Sequence, residues 1–208
     1  DQRKDGIATL SDLHKELIAE GLLHGIEVVN DVTYSEEALQ IALQNDLTIM
    51  GTSDIHGLVD WQFDVHHEGH RPVTLVFAEN HDKNSLKEGL KRGRTVVWFN
   101  DVLIGKEEYV IPLVEASISF SDMHYDGDTT VLNVSITNHS SAKYLLRNQS
   151  DFTFHQHSDV VTIEPLSTQI LQIKTIDEVE SLELPFEVMN AVTAPGEHPI
   201  ITFHIEIM

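Results

Sequence analysis

The chain has 208 residues, 41% of them hydrophobic, and 34 acidic against 13 basic residues set a formal charge of -21. That charge argues against a duplex nucleic-acid footprint, which needs a positive face, and no apolar run approaches the length of a membrane span. Cysteine is absent, which excludes disulfides and thiolate metal sites and leaves cytoplasm and periplasm equally open.

In chain order, Thr9 to Glu20 places Leu10, Leu13, Leu17 and Ile18 on one helical face, with a Thr9/Asp12 capping pattern and Gly21 as a stop. "GIEVVN" (25–30) reads as a strand. Ser35 to Gln44 reads as a helix capped by Ser35, with Glu36 and Glu37 in the favourable first turn. "LTIMGTS" (47–53) is the next strand, and "PVTLVFA" (72–78) follows an irregular stretch. A helix from Ser85 to Arg92, with a Ser85/Glu88 capping box and Gly93 as its end, leads to "TVVWF" (95–99). Strands separated by helices predict parallel βα units, with a site at the strands' C-terminal ends.

Residues 100–111 read as a junction, and from about Pro112 the helical period is lost. Leu132, Val134 and Ile136 alternate with Asn133, Ser135 and Thr137, and Ile201, Phe203, Ile205 and Ile207 alternate in the same way. About seven short strands predict an antiparallel, Ig-like sandwich over 111–208. The Asn-x-Ser triplets at Asn133, Asn138 and Asn148 are frequent enough by chance to carry no glycosylation reading.

Asp54 and His56 close the 47–53 run. On a strand they would project to one side. A carboxylate and an imidazole so placed suit Zn, Mn or Fe, although a metal needs three or four ligands. The plainer alternative is that His56 bonds a loop carbonyl and Asp54 caps a turn. "VHHEGHRP" adds His66, His67, Glu68, His70 and Arg71. Arg71 has the planar fork that grips phosphate, and the alternative is a polar loop with incidental histidines. Asn30 would face the pocket mouth, with Glu27 on the opposite face as an orienting residue. Trp61, Phe63 and Trp98 frame a pocket or belong to the core. His155 and His157 form an H-x-H, but the 51 residues after His157 cannot hold a permuted set of βα units at about 30 residues each. They read as exposed sandwich positions.

"HGIEVVND", "LTIMGTSDIHG" and "LKEGLKRGRTVVWF" together resemble the C-terminal half of the polymerase-and-histidinol-phosphatase (PHP) superfamily, in its two-domain, Bacteroides-type phosphoesterase group. The resemblance covers residues 1–110. It implies the C-terminal part of a distorted (β/α)7 barrel whose strand ends bind up to three divalent ions, followed by a β-sandwich over 111–208. It also implies hydrolysis of small phosphomono- or phosphodiesters by metal-activated water. The family's last metal motif, D-x-H, carries over to Asp54 and His56. Its earlier H-x-H, His and Glu ligands have no counterpart in residues 1–53, where the histidines are His14 and His24. The resemblance therefore implies an incomplete ligand set, no catalytic residue beyond the metal ligands, and His70, Arg71 and Asn30 as substrate contacts. The site would be completed by a missing N-terminal half or a second copy. The alternative is a catalytically incomplete piece whose sandwich serves binding or assembly.

Overall fold

The computed structural model describes residues 6–67 and 69–207. They form two compact units. The first takes in the chain up to Val110 together with Val192–Glu197, and the second takes in Ile111–Ala191 and the segment from His198 onward. No helix among the described residues is long and apolar enough to cross a membrane.

The first unit begins with α1 (Asp12–Ala19), capped by Ser11 rather than Thr9. The Ser11 hydroxyl takes the His14 N–H at 3.3 Å, so the helix starts later than its sequence pattern indicates. Gly21, at φ +67, ends it as expected. Leu13 is exposed, and α1 buries no residue completely. β1 (Gly25–Asn30) and β2 (Thr33–Tyr34) form a tight hairpin, and α2 (Glu36–Gln44) follows with Ser35 as its cap, accepting from the Ala38 N–H at 3.2 Å. β3 (Thr48–Thr52) pairs in parallel with β1, giving a sheet of order β2-β1-β3. Val28, Val29, Leu39, Ile49, Val97 and Phe99 make the core of this unit.

α3 (Val59–Phe63) and a 3-10 turn (Val65–His67) lead to β4 (Val73–Val76), α4 (Lys83–Lys91) and β5 (Thr95–Phe99), then β6 (Val102–Gly105). Here the expected parallel βα pattern fails. β4, β5 and β6 are antiparallel neighbours. The reason is local. The Phe77 N–H reaches the Arg94 carbonyl at 2.9 Å, so the chain leaves β4 and returns to the same end. α4 is thus a helical excursion in a wide hairpin, with no crossover. Gly89 permits it, because a Cβ there would lie 2.8 Å from Val76 Cγ1 and 2.9 Å from the Phe77 carbonyl. The α4 cap is Asp82, not Ser85. Its carboxylate accepts from the Asn84 and Ser85 amides, and those donors hold it below the usual carboxylate range.

α5 (Glu107–Ser117) corrects the expected end of helical structure at Pro112, since the proline lies inside the helix. Val110 and Val114, four residues apart and both fully buried, carry it across the missing amide.

The second unit is two four-stranded antiparallel sheets. Its strands are β7 (Ile118–Tyr125), β8 (Val131–Asn138), β9 (Tyr144–Asn148), β10 (Thr153–Phe154), β11 (Val160–Ile163), β12 (Thr168–Lys174) and β13 (Ser181–Val188). After the short β14 (Ala191–Val192), grouped with the β4–β6 sheet, comes β15 (Ile200–Glu206). The sheet orders are β10-β12-β8-β7 and β11-β9-β13-β15. Alternation holds as read: Leu132, Val134 and Ile136, with Leu171 and Ile173, face Tyr144, Leu146, Leu184 and Phe186 in a closed apolar core. Two of the Asn-x-Ser triplets are turn devices. Asn138 and Asn148 each accept from the amide and hydroxyl of the serine two residues on. Each also donates to a carbonyl four residues on, at 2.7 Å.

Candidate metal centre

β3 ends at Thr52, so Asp54 and His56 are not presented by a strand as their spacing suggested. Asp54 sits at φ +44, a left-handed conformation that a short polar side chain tolerates, and it turns the chain away from the sheet. The turn, rather than strand alternation, brings the two side chains together: His56 Nε2 lies 3.4 Å from Asp54 Oδ1. Both are open to solvent, with side-chain exposures of 88% and 55%.

Glu27 and Asn30 are also placed differently. Glu27 pairs with Met50 and Val29 with Gly51, leaving Val28 as an extra residue. This β-bulge buries Val28 and Val29 in succession and puts Glu27 and Asn30 on the same side of β1. The Asn30 amide donates to Glu27 Oε2 at 3.1 Å, and the Thr52 hydroxyl donates to Glu27 Oε1 at 2.8 Å. Glu27 therefore ties the C-terminal end of β3 to β1 on the open face, not the opposite one. A groove of about 860 Å³ runs past these residues, lined by Glu27, Asn30, Asp31, Thr33, Ser35 and Asp54.

Sequence reasoning missed Asp31 and Gln62. Asp31, at φ +54, occupies the β1–β2 turn and accepts a hydrogen bond from the Gln62 side chain, pinning α3 at the rim. The turn could have been read from "NDVT". Its link to Gln62, distant in sequence, could not.

His70 stands apart from the Asp54–His56 pair in its contacts. Its ring stacks on Trp98 with centroids 4.2 Å apart, and Nδ1 lies 3.0 Å from the Arg71 carbonyl, so Nδ1 carries the proton. Nε2 is buried with no hydrogen-bond partner among the described residues, as is Trp98 Nε1. Arg71 is exposed. His66 lies 3.4 Å from Asp60 in α3, and His67 lies 2.7 Å from Asp64, the residue that joins α3 to the 3-10 turn. Glu68 lies outside the described residues. Trp61 is 84% exposed and Phe63 is buried, so the aromatics do not frame the groove. His155 and His157 are exposed but follow β10 in a bend instead of lying on a strand. Among the described residues no group of three His, Asp or Glu side chains is placed to hold a metal ion.

Residues 118–204 match the model of a family described as an Ig-like domain, in keeping with the two-sheet antiparallel sandwich of the second unit. No curated protein matches the chain. A solved structure from Bacteroides vulgatus is described as a two-domain protein containing a predicted PHP-like metal-dependent phosphoesterase. It superposes with a TM-score of 0.87 at 27% sequence identity, over 99% of this chain and 59% of that one. The chain thus spans about three-fifths of that relative's length.

Proposed function

We propose that this chain is the C-terminal part of a PHP-type, metal-dependent phosphoesterase. In this reading residues 1–110 are the closing portion of the catalytic barrel, and residues 111–208 carry the appended sandwich. Asp54 and His56 are two ligands of a cluster of divalent ions. The observation that carries the reading is their separation: Asp54 Oδ1 and His56 Nε2 lie 3.4 Å apart, so the two would offer an oxygen and a nitrogen donor to one divalent ion. The likeness to the Bacteroides protein supports it.

An oxygen and an imidazole nitrogen fit Zn, Mn or Fe, and a bound ion of this kind supplies water acidic enough to attack a phosphoester near neutral pH. The residues of this chain hold and orient. Asp54 offers its carboxylate at the edge of the groove, and Glu27 fixes β1 to β3 behind it through Thr52 and Asn30. His70 anchors the backbone of Arg71, leaving that guanidinium free to grip a phosphate. The remaining ligands come from a preceding part of the polypeptide or from a second copy. The want of a third ligand among the described residues favours a second reading, a non-catalytic piece used for binding or assembly.

The two readings are separated by variants of the protein expressed from its complete coding frame. Metal is measured by mass spectrometry after gel filtration, and rates are taken on chromogenic phosphomono- and phosphodiesters with Mn or Zn. Asp54→Ala and His56→Ala are expected to lose metal and turnover. Arg71→Ala is expected to raise KM with metal content unchanged, and the His155→Ala, His157→Ala double variant to change neither. The 208-residue chain by itself is expected to bind metal weakly and turn over nothing. Full activity in Asp54→Ala ends the assignment.

A further inference from the structure

The sandwich has four strand edges, and three are blunted. β7 carries a bulge between Ser121 and His124, with Asp122 at φ +52. β10 has two residues and β11 has four. β15 has seven residues in unbroken register with β13. The Ile207 N–H reaches the Glu180 carbonyl at 2.8 Å, and the Val188 N–H reaches Pro199 at 2.9 Å. That phase commits the backbone groups of Ile201, Phe203 and Ile205 to β13. It turns those of Thr202, His204 and Glu206 outward, where no described residue receives them. Their side chains are exposed. Such a row of unpaired amides and carbonyls is a template for another strand.

Charge selects the occupant. On the outer face of the same sheet a groove of about 600 Å³ lies over β13, between the loop after β9 and the His204–Glu206 end of β15; Asp151, Glu183 and Glu206 line it, and none of its described lining residues is Lys or Arg. His204 Nδ1 is 3.2 Å from Glu183 Oε1. A net charge of -21 sets a second copy of the chain against itself. We propose that the β15 edge binds an extended basic segment of a partner protein as an added strand. A Lys or Arg side chain of that segment lies beside Glu206, and its apolar side chains on the other face lie next to Phe203. This does not depend on the phosphoesterase reading.

The test is fluorescence anisotropy of labelled ten-residue peptides, Val alternating with Lys or with Glu, titrated with the 208-residue chain. The Val/Lys peptide is expected to saturate and to weaken with salt, and the Val/Glu peptide to stay free. Thr202→Pro removes one outward amide and leaves the β13 ladder intact; it is expected to weaken binding about tenfold or more with an unchanged circular dichroism spectrum. Glu206→Lys is expected to weaken binding of the Val/Lys peptide. In the parent chain, saturation with peptide is expected to slow hydrogen exchange at Thr202, His204 and Glu206, a readout that stands even where Thr202→Pro does not fold. The proposal is overturned by equal binding of both peptides or of neither, by no added protection at those three amides, by full binding in folded Thr202→Pro, or by a β15-dependent dimer in sedimentation.

Discussion

Glu27 accepts hydrogen bonds from Asn30 and Thr52 at once, at 3.1 and 2.8 Å, and so joins the exit of β1 to the exit of β3. Asp54 departs two residues beyond Thr52, and its position inherits that tie. Glu27→Ala is therefore expected to lower metal affinity of the complete protein by about 10- to 100-fold, the usual effect of losing a residue that orients a ligand. Equilibrium dialysis against Zn or Mn measures this, and an affinity equal to that of the parent rejects the role.

Gly51 sits where β3 meets β5. A Cβ at this position would lie 2.4 Å from Val97 Cγ1, in a fully buried contact. The Thr74 hydroxyl fixes the same residue by accepting from its amide at 3.0 Å and donating to its carbonyl at 2.9 Å. Gly51→Ala is expected to destabilise the chain by about 1–3 kcal/mol through overpacking. Urea unfolding reports the loss, and Gly51→Ala with Val97→Ala is expected to recover part of it.

Tyr34 has its hydroxyl oxygen buried without a partner among the described residues, and its pKa is pushed up to about 12 by burial first, then by Glu36 and Glu37. A raised pKa favours the protonated form in the folded state. The contribution is present below pH 10, where the unfolded phenol titrates, and is lost as pH rises from there to about 12. The span stays below about 2.7 kcal/mol, because solvent screens a side chain that is only half-buried. Thermal melts across that window are expected to fall less steeply in Tyr34→Phe than in the parent. At neutral pH the variant is expected to match or exceed the parent, since it removes an unpaired buried hydroxyl. Parallel slopes would disprove the linkage.

Asn138 is 1% exposed and donates to the carbonyls of Ala142 at 2.7 Å and Glu164 at 3.1 Å, while its own oxygen takes both groups of Ser140. Asn138→Ala strands several of these groups and is expected to cost about 1–3 kcal/mol. Ser119→Ala, which removes an exposed hydroxyl contact to His139 on the same sandwich, is expected to stay within about 0.5 kcal/mol. Comparable losses in the two variants would place the effect elsewhere.

The amino-acid sequence by itself determined the features that depend on near neighbours. Alternation in β8 and β15, the cap at Ser35 and the stop at Gly21 follow from side-chain period and local hydrogen bonding, and they stand as read. Strand alternation marks Asp54 and His56 as neighbours; they are neighbours, but through the left-handed turn at Asp54 and not through a strand. What needed tertiary structure was everything set by a distant partner. The bulge at Val28, which brings Glu27 to the open face, exists because β1 must match β3. The antiparallel return of β5 depends on Phe77 meeting Arg94. The helix through Pro112 persists because the burial of Val110 and Val114 outweighs one lost amide bond. Gln62 reaches Asp31 only after α3 has folded back to the β1–β2 turn. Local pattern fixes which face of a segment is apolar; which neighbour that face meets is decided by packing, and the positions of Glu27 and Asp31 beside Asp54 are a product of that packing.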